Sequence, residues 1–303
     1  MQQADILIIG GGPAGLTAGL YGARGGLKTV LIEKMFAGGQ ISTTHLLENY
    51  PGFPQGIGGV EISMAMMEQA ERFGLSIQYD TVQRMALEDE IKTVFCDGET
   101  WQAPVVILCM GAQPRLLGVE REDQLRGSGV SYCATCDGAF YKNKAVAVVG
   151  GGDTACEDAM YLAGLADKVY LIHRRDELRA AGIVRQRVLD SDKIEVLWNT
   201  QVEDLLGEHQ LEGLKLKGDH AGNLEVSGVF VAVGTVPQTE LVKDALKLDN
   251  QGAIVTDERM QTSIPGVYAA GDVRSTPLRQ VVTAAADGAI AATEAARYLM
   301  EKA

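Results

Sequence analysis

The stretch that decides the fold is DILIIGGGPAG, which runs from Asp5 to Gly15. It joins an apolar, β-branched run to a glycine-rich turn. An Ala- and Leu-rich segment follows, and then a second apolar run that ends at Glu33. Strand, G-x-G-x-x-G turn, helix, strand and acidic residue thus follow one another within about 30 residues, and in that context the glycine fingerprint predicts a dinucleotide-binding βαβ unit.

The three glycines of this turn have different tasks. Gly10 permits the tight turn, Gly12 lets the backbone approach a pyrophosphate, and Gly15 allows the helix to pack closely on the strand. The helix N-terminus adds free N–H groups and the positive end of the helix dipole. Glu33 stands where a carboxylate accepts hydrogen bonds from a ribose diol. The first unit is therefore predicted to bind a nucleotide with an unmodified ribose.

The same arrangement occurs a second time in the chain. The stretch AVAVVGGGDTA, from Ala145 to Ala155, is followed by a predicted helix and by an apolar strand that leads to His173. The separation of Gly150 from His173 equals that of Gly10 from Glu33, so the two units align without a gap. The contacts predicted for this second turn are Gly150, Gly152, Asp153 and Thr154.

The ribose position differs between the two units. Where the first unit has an acid, the second has His173-Arg174-Arg175, and Arg179 follows. A carboxylate would repel a 2′-phosphate, whereas guanidinium groups bind one through charge-assisted hydrogen bonds. A single glycine fingerprint is weak, and arginine-rich turns are commonly only solvated, but two gapless copies with opposite ribose chemistry favour a functional pair. The second unit is therefore predicted to bind NADP.

Between the two copies lies a Cys-x-x-Cys motif, Cys133-Ala-Thr-Cys136, followed by Asp137. It has three interpretations: half of a zinc site, a redox dithiol, or two unrelated buried cysteines. Next to two dinucleotide units the redox interpretation is favoured, and no metal site is predicted. Asp137 either carries protons for thiol–disulfide exchange or caps a turn. The remaining cysteines offer no second pair at zinc-ligand spacing and are predicted to be core residues: Cys96, Cys109 and Cys156.

The composition excludes several classes of protein. The 303 residues carry a net charge of −13, which argues against nucleic-acid binding, and 46% apolar residues argue against disorder. No apolar run approaches the roughly 18 residues that span a bilayer, and the N-terminus lacks the basic region of a signal peptide. Five cysteines are too few for a disulfide scaffold. We expect a soluble, acidic, cytoplasmic protein with no membrane or nucleic-acid partner.

Together these motifs resemble the low-molecular-weight, bacterial-type NADPH-dependent thioredoxin reductases. The resemblance runs along the whole chain in the order of that family. It rests on Gly10–Gly15, Cys133–Gly138, Gly150–Ala155, His173–Arg179 and Tyr268–Asp272.

The resemblance implies an α/β fold with two Rossmann-like FAD/NAD(P)-binding domains, each a three-layer ββα arrangement. The FAD domain would be split between residues 1–112 and 245–303. The NADPH domain, with the Cys-x-x-Cys motif, would be inserted at 113–244. Two apolar strands that end in glycine and lead to Pro114 and Pro237 independently mark exit points for the chain.

The resemblance also implies cofactors, partners and roles. Electrons would pass from NADPH through FAD to the Cys133–Cys136 disulfide and on to thioredoxin or a thioredoxin-like protein, with rotation of the inserted domain between the half-reactions and with the chain as a homodimer. Cys136 would face the flavin, Cys133 would attack thioredoxin, and Asp137 would be the acid/base. The implied FAD contacts are Gly10, Gly12, Gly15, Glu33, Gly39, Gln40, Asn49, Gly271, Asp272, Arg279, Gln280 and Val281. The implied NADPH contacts are Gly150, Gly152, Asp153, Thr154, Arg174, Arg175 and Arg179.

Other functions remain as alternatives. A dithiol oxidase would share the FAD domain and the Cys-x-x-Cys motif but would use dioxygen. A ferredoxin- or NADH-linked disulfide reductase would differ in its electron donor. Neither needs a 2′-phosphate cluster, so Arg174, Arg175 and Arg179 count against both. A flavin-dependent ferredoxin–NADP reductase would lack the cysteine pair. A non-enzymatic FAD-binding redox sensor has no use for the second nucleotide site.

Overall fold

The computed structural model describes residues 1–43, 47, 49–180 and 182–302, with the backbone alone at Thr43, Thr135 and Cys136. The chain folds into two compact units. Unit 1 comprises Met1–Gln113 and Val236–Ala303, and unit 2 comprises Pro114–Thr235. The sequence-based division assigned residues 113–244 to the inserted part, whereas in the structure residue 113 and residues 236–244 belong to unit 1.

The helices are α1 (Pro13–Arg24), α2 (Gly59–Arg72), α3 (Ala134–Asp137), α4 (Asp153–Ala163), α5 (Gly182–Leu189) and α6 (Val281–Lys302), with short 3₁₀ turns at Gly39–Thr43, Gly138–Tyr141 and Gly271–Val273. The strands are β1 (Gln2–Gln3), β2 (Ile6–Ile9), β3 (Thr29–Glu33), β4 (Ser76–Tyr79), β5 (Val82–Ala86), β6 (Lys92–Cys96), β7 (Thr100–Ala103), β8 (Val105–Leu108), β9 (Ala112–Pro114), β10 (Val130–Ser131), β11 (Ala145–Gly150), β12 (Lys168–Ile172), β13 (Ile194–Leu197), β14 (Thr200–Leu206), β15 (Gly213–Gly218), β16 (Gly222–Leu224), β17 (Gly228–Ala232), β18 (Thr235–Pro237) and β19 (Val267–Ala269).

Unit 1 is built around a parallel sheet with the strand order β19-β8-β2-β3-β4. Strand β2 is apolar at every position because both faces of this sheet are covered. Ile6 and Ile8 pack with α1 and α6, whereas Leu7 and Ile9 pack with the sheet β1-β7-β6-β5 on the other face. The result is three layers, an outer sheet, a central parallel sheet and a helical layer.

Unit 2 repeats these layers. Its parallel sheet has the strand order β10-β17-β11-β12-β13. Val146 and Val148 on β11 pack with α4, and Ala147 and Val149 pack with the antiparallel sheet β14-β15-β16. The predicted α/β class with two Rossmann-like ββα units is therefore confirmed.

Helix α6 is long but carries charged residues along its length, including Asp287 and Glu294. Within the part of the chain that the structure describes, no helix has both the length and the apolar character that a membrane span requires.

Candidate nucleotide and dithiol sites

The glycine turn of unit 1 joins β2 to α1 and leaves open space beside one glycine. Gly10 has φ +104°, and a Cβ added there would lie 2.4 Å from the carbonyl oxygen of Cys109. A Cβ at Gly15 would lie 1.9 Å from the carbonyl oxygen of Gly10. At Gly12, the N-cap of α1, the nearest atom of a described residue to an added Cβ is the Cα of Gly39, at 4.0 Å. Packing thus requires Gly10 and Gly15, whereas Gly12 leaves room for a ligand at the helix N-terminus.

The carboxylate of Glu33 is fixed beneath this turn. Its Oε2 accepts a hydrogen bond from the backbone N–H of Gly11 at 2.7 Å, and its Oε1 accepts one from Met35 at 3.1 Å. A Cβ on Gly11 would lie 3.2 Å from Cγ of Glu33, so the turn and the carboxylate are in close contact. Two hydrogen bonds still leave acceptor sites on the carboxylate, which could hold a ribose diol.

A second loop of unit 1 lies against the turn. The N–H of Gly38 donates to the carbonyl of Gly11 at 2.7 Å, and an added Cβ at Gly39 would lie 3.1 Å from Cα of Gly12. The side chain of Gln40 donates to the carbonyl of Ala112. The structure therefore brings Gly39 to the edge of the space beside Gly12.

The turn Gly271–Val273 carries a half-buried carboxyl group, that of Asp272. Burial raises the pKa of Asp272, and the positive charge of Arg279 opposes that rise. The side chain of Asp272 makes no hydrogen bond with a described residue. The Nε of Arg279 is buried and likewise has no partner in the described part of the chain. A ligand with hydroxyl and phosphate groups would satisfy both, which fits the ribityl diphosphate part of FAD.

Two further predicted residues, Asn49 and Gln280, lie together. The amide Nδ2 of Asn49 donates to Oε1 of Gln280 at 2.8 Å. Residues 49–54 line a cavity of about 480 Å³. Val281, the first residue of α6, is buried in a small apolar cluster with Ile41 and Ile57. Val281 thus anchors the start of α6, and the Asn49–Gln280 pair ties that start to the 49–54 segment.

Sequence reasoning missed Asp287, whose carboxylate contacts the turn that carries Asp272. Its Oδ2 accepts a hydrogen bond from the N–H of Gly271 at 3.1 Å and lies 3.5 Å from Nη1 of Arg274. Burial raises the pKa of Asp287, while Arg274 and the Gly271 N–H oppose that rise. The available signal in the sequence was an acidic residue on the otherwise apolar, buried face of the Ala-rich helix α6.

The glycine turn of unit 2 repeats the geometry of unit 1. An added Cβ at Gly150 would lie 2.4 Å from the carbonyl oxygen of Ala232. At Gly152, the N-cap of α4, no atom of a described residue lies within 4 Å of an added Cβ. The exposed residues Asp153 and Thr154 form the first turn of α4. This helix N-terminus could hold a second pyrophosphate.

His173 occupies the place that Glu33 has in unit 1. It is 4% exposed, and a Cβ on Gly151 would lie 2.2 Å from the imidazole Nδ1. Its Nε2 lies 3.0 Å from the carbonyl oxygen of Glu177. Burial lowers the pKa of His173, although backbone hydrogen bonds with Glu177 and Gly150 oppose that shift. The imidazole thus links the glycine turn to the arginine loop, a role that sequence reasoning did not identify.

The arginine loop presents three exposed guanidinium groups. The backbone N–H of Arg179 donates to the carbonyl of Gly151 at 2.7 Å, so the loop is held beside the glycine turn. Arg174, Arg175 and Arg179 are all exposed, and none forms an ion pair with a described residue. Arg185 in α5, by contrast, pairs with Glu177. The loop could therefore bind a dianionic 2′-phosphate.

Cys133 stands between β10 and α3 and is disulfide-bonded. Its backbone N–H donates to Oγ of Ser131 at 3.1 Å, and the Ser131 hydroxyl donates to the Cys133 carbonyl at 3.2 Å. The side chain of Cys136 lies outside the described part of the chain. Asp137 is partly buried, and its carboxyl makes no capping hydrogen bond with a described residue.

The other three cysteines are free thiols. Burial raises the pKa of Cys109 far above its ordinary value and that of Cys96 and Cys156 to about 11. They remain protonated at neutral pH and are poor nucleophiles. Among the described residues no group of His, Cys, Asp and Glu side chains has the arrangement of a metal site.

Comparison with known proteins agrees with this geometry. The family model described as pyridine nucleotide-disulphide oxidoreductase matches residues 4–288. A thioredoxin reductase of Peptoclostridium acidaminophilum is 45% identical, over 97% of this chain and 96% of the relative. That of Listeria monocytogenes is 44% identical, over 98% and 94%. The solved structure of Lactococcus lactis thioredoxin reductase has a TM-score of 0.89 at 39% identity and covers 98% of this chain and 99% of its own.

These similarities extend over nearly the whole chain and include both Rossmann-like units, which confirms the resemblance drawn from the motifs. The chain belongs to the pyridine nucleotide-disulphide oxidoreductase family and is an oxidoreductase similar to the thioredoxin reductases.

Proposed function

We propose that this protein is an NADPH-dependent thioredoxin-disulfide reductase that uses FAD and a Cys133–Cys136 dithiol. The observation that carries the proposal is the contrast between its two nucleotide units. Glu33, with open acceptor sites, lies at the first turn, and three exposed guanidiniums without an ion pair to any described residue lie beside the second. One chain thereby offers one site for an unmodified ribose and one for a 2′-phosphate. The relatives named thioredoxin reductase support the same conclusion.

Unit 1 is the proposed FAD-binding part, with Gly12 at the pyrophosphate, Glu33 at the adenosine ribose, and Asp272 with Arg279 at the ribityl diphosphate. When bound, FAD supplies the two-electron carrier between a nicotinamide and a disulfide. The protein's own contribution is to hold that carrier in a desolvated setting. Its buried carboxyl groups and the N-terminus of α6 provide fixed charges and dipoles close by.

Unit 2 is the proposed NADPH-binding part. Gly152 and the first turn of α4 would bind the pyrophosphate, and the arginine loop would bind the 2′-phosphate. His173 supports both because it links the glycine turn to the loop that carries the arginines. NADH lacks the 2′-phosphate and would therefore bind much more weakly.

The proposed disulfide partner of Cys133 is Cys136, since the other three cysteines are free. Reduction of this disulfide takes two electrons and two protons and gives two thiols. The Cys133 thiolate then attacks a sulfur of the thioredoxin disulfide and forms a mixed disulfide, while the leaving thioredoxin sulfur takes up a proton. The Cys136 thiolate breaks the mixed disulfide, releases dithiol thioredoxin and restores the Cys133–Cys136 bond. Asp137 is the proposed proton carrier.

Two further parts of the proposal concern movement and assembly. The dithiol and the NADPH site share unit 2, and each must reach a flavin in unit 1, so we expect unit 2 to rotate between the half-reactions. We also expect a homodimer, which the exposed apolar side chains Val60 and Met64 on α2 support. Sedimentation should then give about twice the chain mass of 32.3 kDa, and a mass equal to one chain would contradict the dimer.

Cys133→Ser tests the proposed path. The variant should lose thioredoxin reduction by NADPH, because the thiol proposed to attack thioredoxin is gone. It should keep NADPH-dependent reduction of ferricyanide, which needs the flavin and not the dithiol. Cys96→Ser is the matched control, since Cys96 is a free thiol of low reactivity, and it should keep both activities. If Cys133→Ser still reduced thioredoxin, the assignment of the nucleophile would be wrong. If wild-type protein reduced ferricyanide with NADPH but did not reduce thioredoxin, the acceptor would be wrong.

A further inference from the structure

A buried carboxylate lies just upstream of the disulfide-bonded cysteine and has no part in the proposed catalytic path. Glu122 is 3% exposed, in the irregular segment between β9 and β10 of unit 2. Its Oε2 accepts a hydrogen bond from the backbone N–H of Gly118 at 2.8 Å. Its Oε1 accepts one from the N–H of Leu117 at 2.8 Å and one from the hydroxyl of Tyr132 at 2.6 Å. The charge is thus satisfied by three donors, one of which belongs to the residue before Cys133.

Tyr132 is held on its ring as well as at its hydroxyl. The guanidinium of Arg126 lies 4.8 Å from the ring centroid and is itself paired with Asp123 at 3.3 Å. The ring also packs against the apolar cluster beneath the parallel sheet of unit 2. Burial and the hydrogen bond to Glu122 raise the pKa of Tyr132 to about 12. The hydroxyl therefore keeps its proton and remains a donor throughout the physiological pH range.

The backbone on either side of Cys133 is already ordered. On its N-terminal side, β10 pairs with β17 through Val130 and Ser131. On its C-terminal side α3 begins at once, and the N–H of Asp137 donates to the Cys133 carbonyl at 3.2 Å. Tyr132 joins these two ordered segments. Through the Glu122 carboxylate, its hydroxyl links this junction to the backbone N–H groups of Leu117 and Gly118.

Fixing Cys133 matters most when its disulfide is open. An intact S–S bond holds the two sulfurs together whatever the surroundings do, whereas in the dithiol only the surrounding structure keeps them close. A well-held pair has a high effective concentration, so its disulfide forms more readily. A contact that holds the segment before Cys133 therefore favours the disulfide over the dithiol.

We propose that Tyr132, through its hydrogen bond to the buried Glu122, is a positioning residue that holds Cys133 in place for thiol–disulfide exchange and so sets how readily the dithiol is oxidised. The proposal rests on the proposed function in one respect, that Cys133 and Cys136 form the exchanging pair. Tyr132 touches no reacting atom and acts through the position of its neighbour.

Tyr132→Phe tests the proposal, because it keeps the ring under Arg126 and removes only the hydroxyl. FAD-loaded variant and wild type are equilibrated with glutathione buffers at fixed pH, quenched by alkylation and analysed for oxidised Cys133. In this exchange the enzyme dithiol gives up two electrons and two protons and forms one S–S bond, while one glutathione disulfide accepts them and becomes two thiols. We expect the equilibrium constant for disulfide formation to fall about tenfold, which corresponds to a potential about 30 mV less negative.

Tyr170→Phe is the matched control. Tyr170 packs against the same apolar cluster, and its hydroxyl makes no hydrogen bond with a described residue, so the potential should stay at the wild-type value. Glu122→Gln is the second variant, since it removes the charge from the same network, and it should shift the potential in the same direction as Tyr132→Phe. If Tyr132→Phe fails to fold, the potential of Glu122→Gln tests the proposal in its place.

The outcomes separate this proposal from the proposed function. If Tyr132→Phe and Glu122→Gln both keep the wild-type potential, Tyr132 does not position Cys133, even if thermal stability falls. If the potential shifts as expected but wild-type protein does not reduce thioredoxin with NADPH, the positioning role stands and the proposed function fails. A tenfold shift with slower thioredoxin reduction and unchanged ferricyanide reduction supports both.

Discussion

Replacing Arg174 and Arg175 together by alanine should weaken NADPH binding and leave NADH binding almost unchanged. Both guanidiniums are exposed, and the loop that carries them is joined to the glycine turn by the hydrogen bond from the Arg179 N–H to the Gly151 carbonyl at 2.7 Å. Neither supports the fold through an ion pair with a described residue, so their removal should cost little stability. The substitution thus separates binding of the 2′-phosphate from folding of the loop.

The size of the effect follows from the number and exposure of the contacts. A hydrogen bond to a charged group contributes about 1.5–3 kcal/mol, and the exposure of these arginines places each at the lower end. Two lost contacts then cost about 3 kcal/mol, which corresponds to about 100-fold in the KM for NADPH. NADH makes neither contact, so its KM should change by less than about threefold. Raising the salt concentration should reduce the difference in NADPH KM between wild type and the double variant, because exposed charges are screened.

Steady-state reduction of ferricyanide isolates this step from thioredoxin binding. The KM for NADPH and for NADH is measured for wild type, for the double variant and for Arg185→Ala. Arg185 is the matched control because it pairs with Glu177 and is not part of the proposed site, so its variant should keep both constants. Equal changes for the two nucleotides in the double variant would refute the assignment of a 2′-phosphate site to this loop.

Two further predictions concern the glycine turn of unit 1 and a carboxyl group of α4. Gly12→Ala should leave the unfolding temperature close to wild type, because its Cβ enters open space, and should lower the FAD content of the purified protein, because that space is the proposed pyrophosphate position. Gly10→Ala should instead destabilise the fold by about 2 kcal/mol, since its Cβ would collide with the Cys109 carbonyl. Full FAD retention in Gly12→Ala would contradict the proposed pyrophosphate position. Burial raises the pKa of Asp158 on α4 to about 7 from 3.8, so the folded state holds this proton more tightly than the unfolded state does. The contribution of the protonated carboxyl to the free energy of unfolding is fully present below about pH 4 and is lost as the pH rises through 7. The stability of Asp158→Asn relative to wild type should therefore rise between pH 4 and 7, by at most about 4 kcal/mol in urea unfolding. A pH-independent difference would show that folding does not raise the pKa of this carboxyl.

The layers of both units could be predicted from local patterns. Each glycine turn lies between a fully apolar strand and an Ala-rich helix, and such a βαβ pattern has few alternatives. The repeat of the same spacing at Gly10 and Gly150 made the second unit predictable from the first. The point at which the chain returns to unit 1 was less predictable, because residues 236–244 have no periodic pattern to assign them.

What the sequence could not reveal are contacts between residues far apart in the chain. Asp287 supports Gly271 from another element, and Glu122 reaches Tyr132 across an irregular segment. His173 was visible only as the end of a strand, although its burial under Gly151 links the turn to the arginine loop. In each case the signal is one polar residue in an apolar or irregular stretch, and its partner is identified only once the chain has folded.

The most direct test of the central claim is an anaerobic titration of the FAD-loaded protein, first with NADPH and then with NADH, followed by flavin absorbance. We expect rapid bleaching by NADPH and little by NADH at the same concentration, since only NADPH carries the 2′-phosphate that the arginine loop would bind. Equal bleaching by both nucleotides would contradict the 2′-phosphate site. No bleaching by either would exclude a nicotinamide donor and favour the ferredoxin-linked or oxidase alternatives.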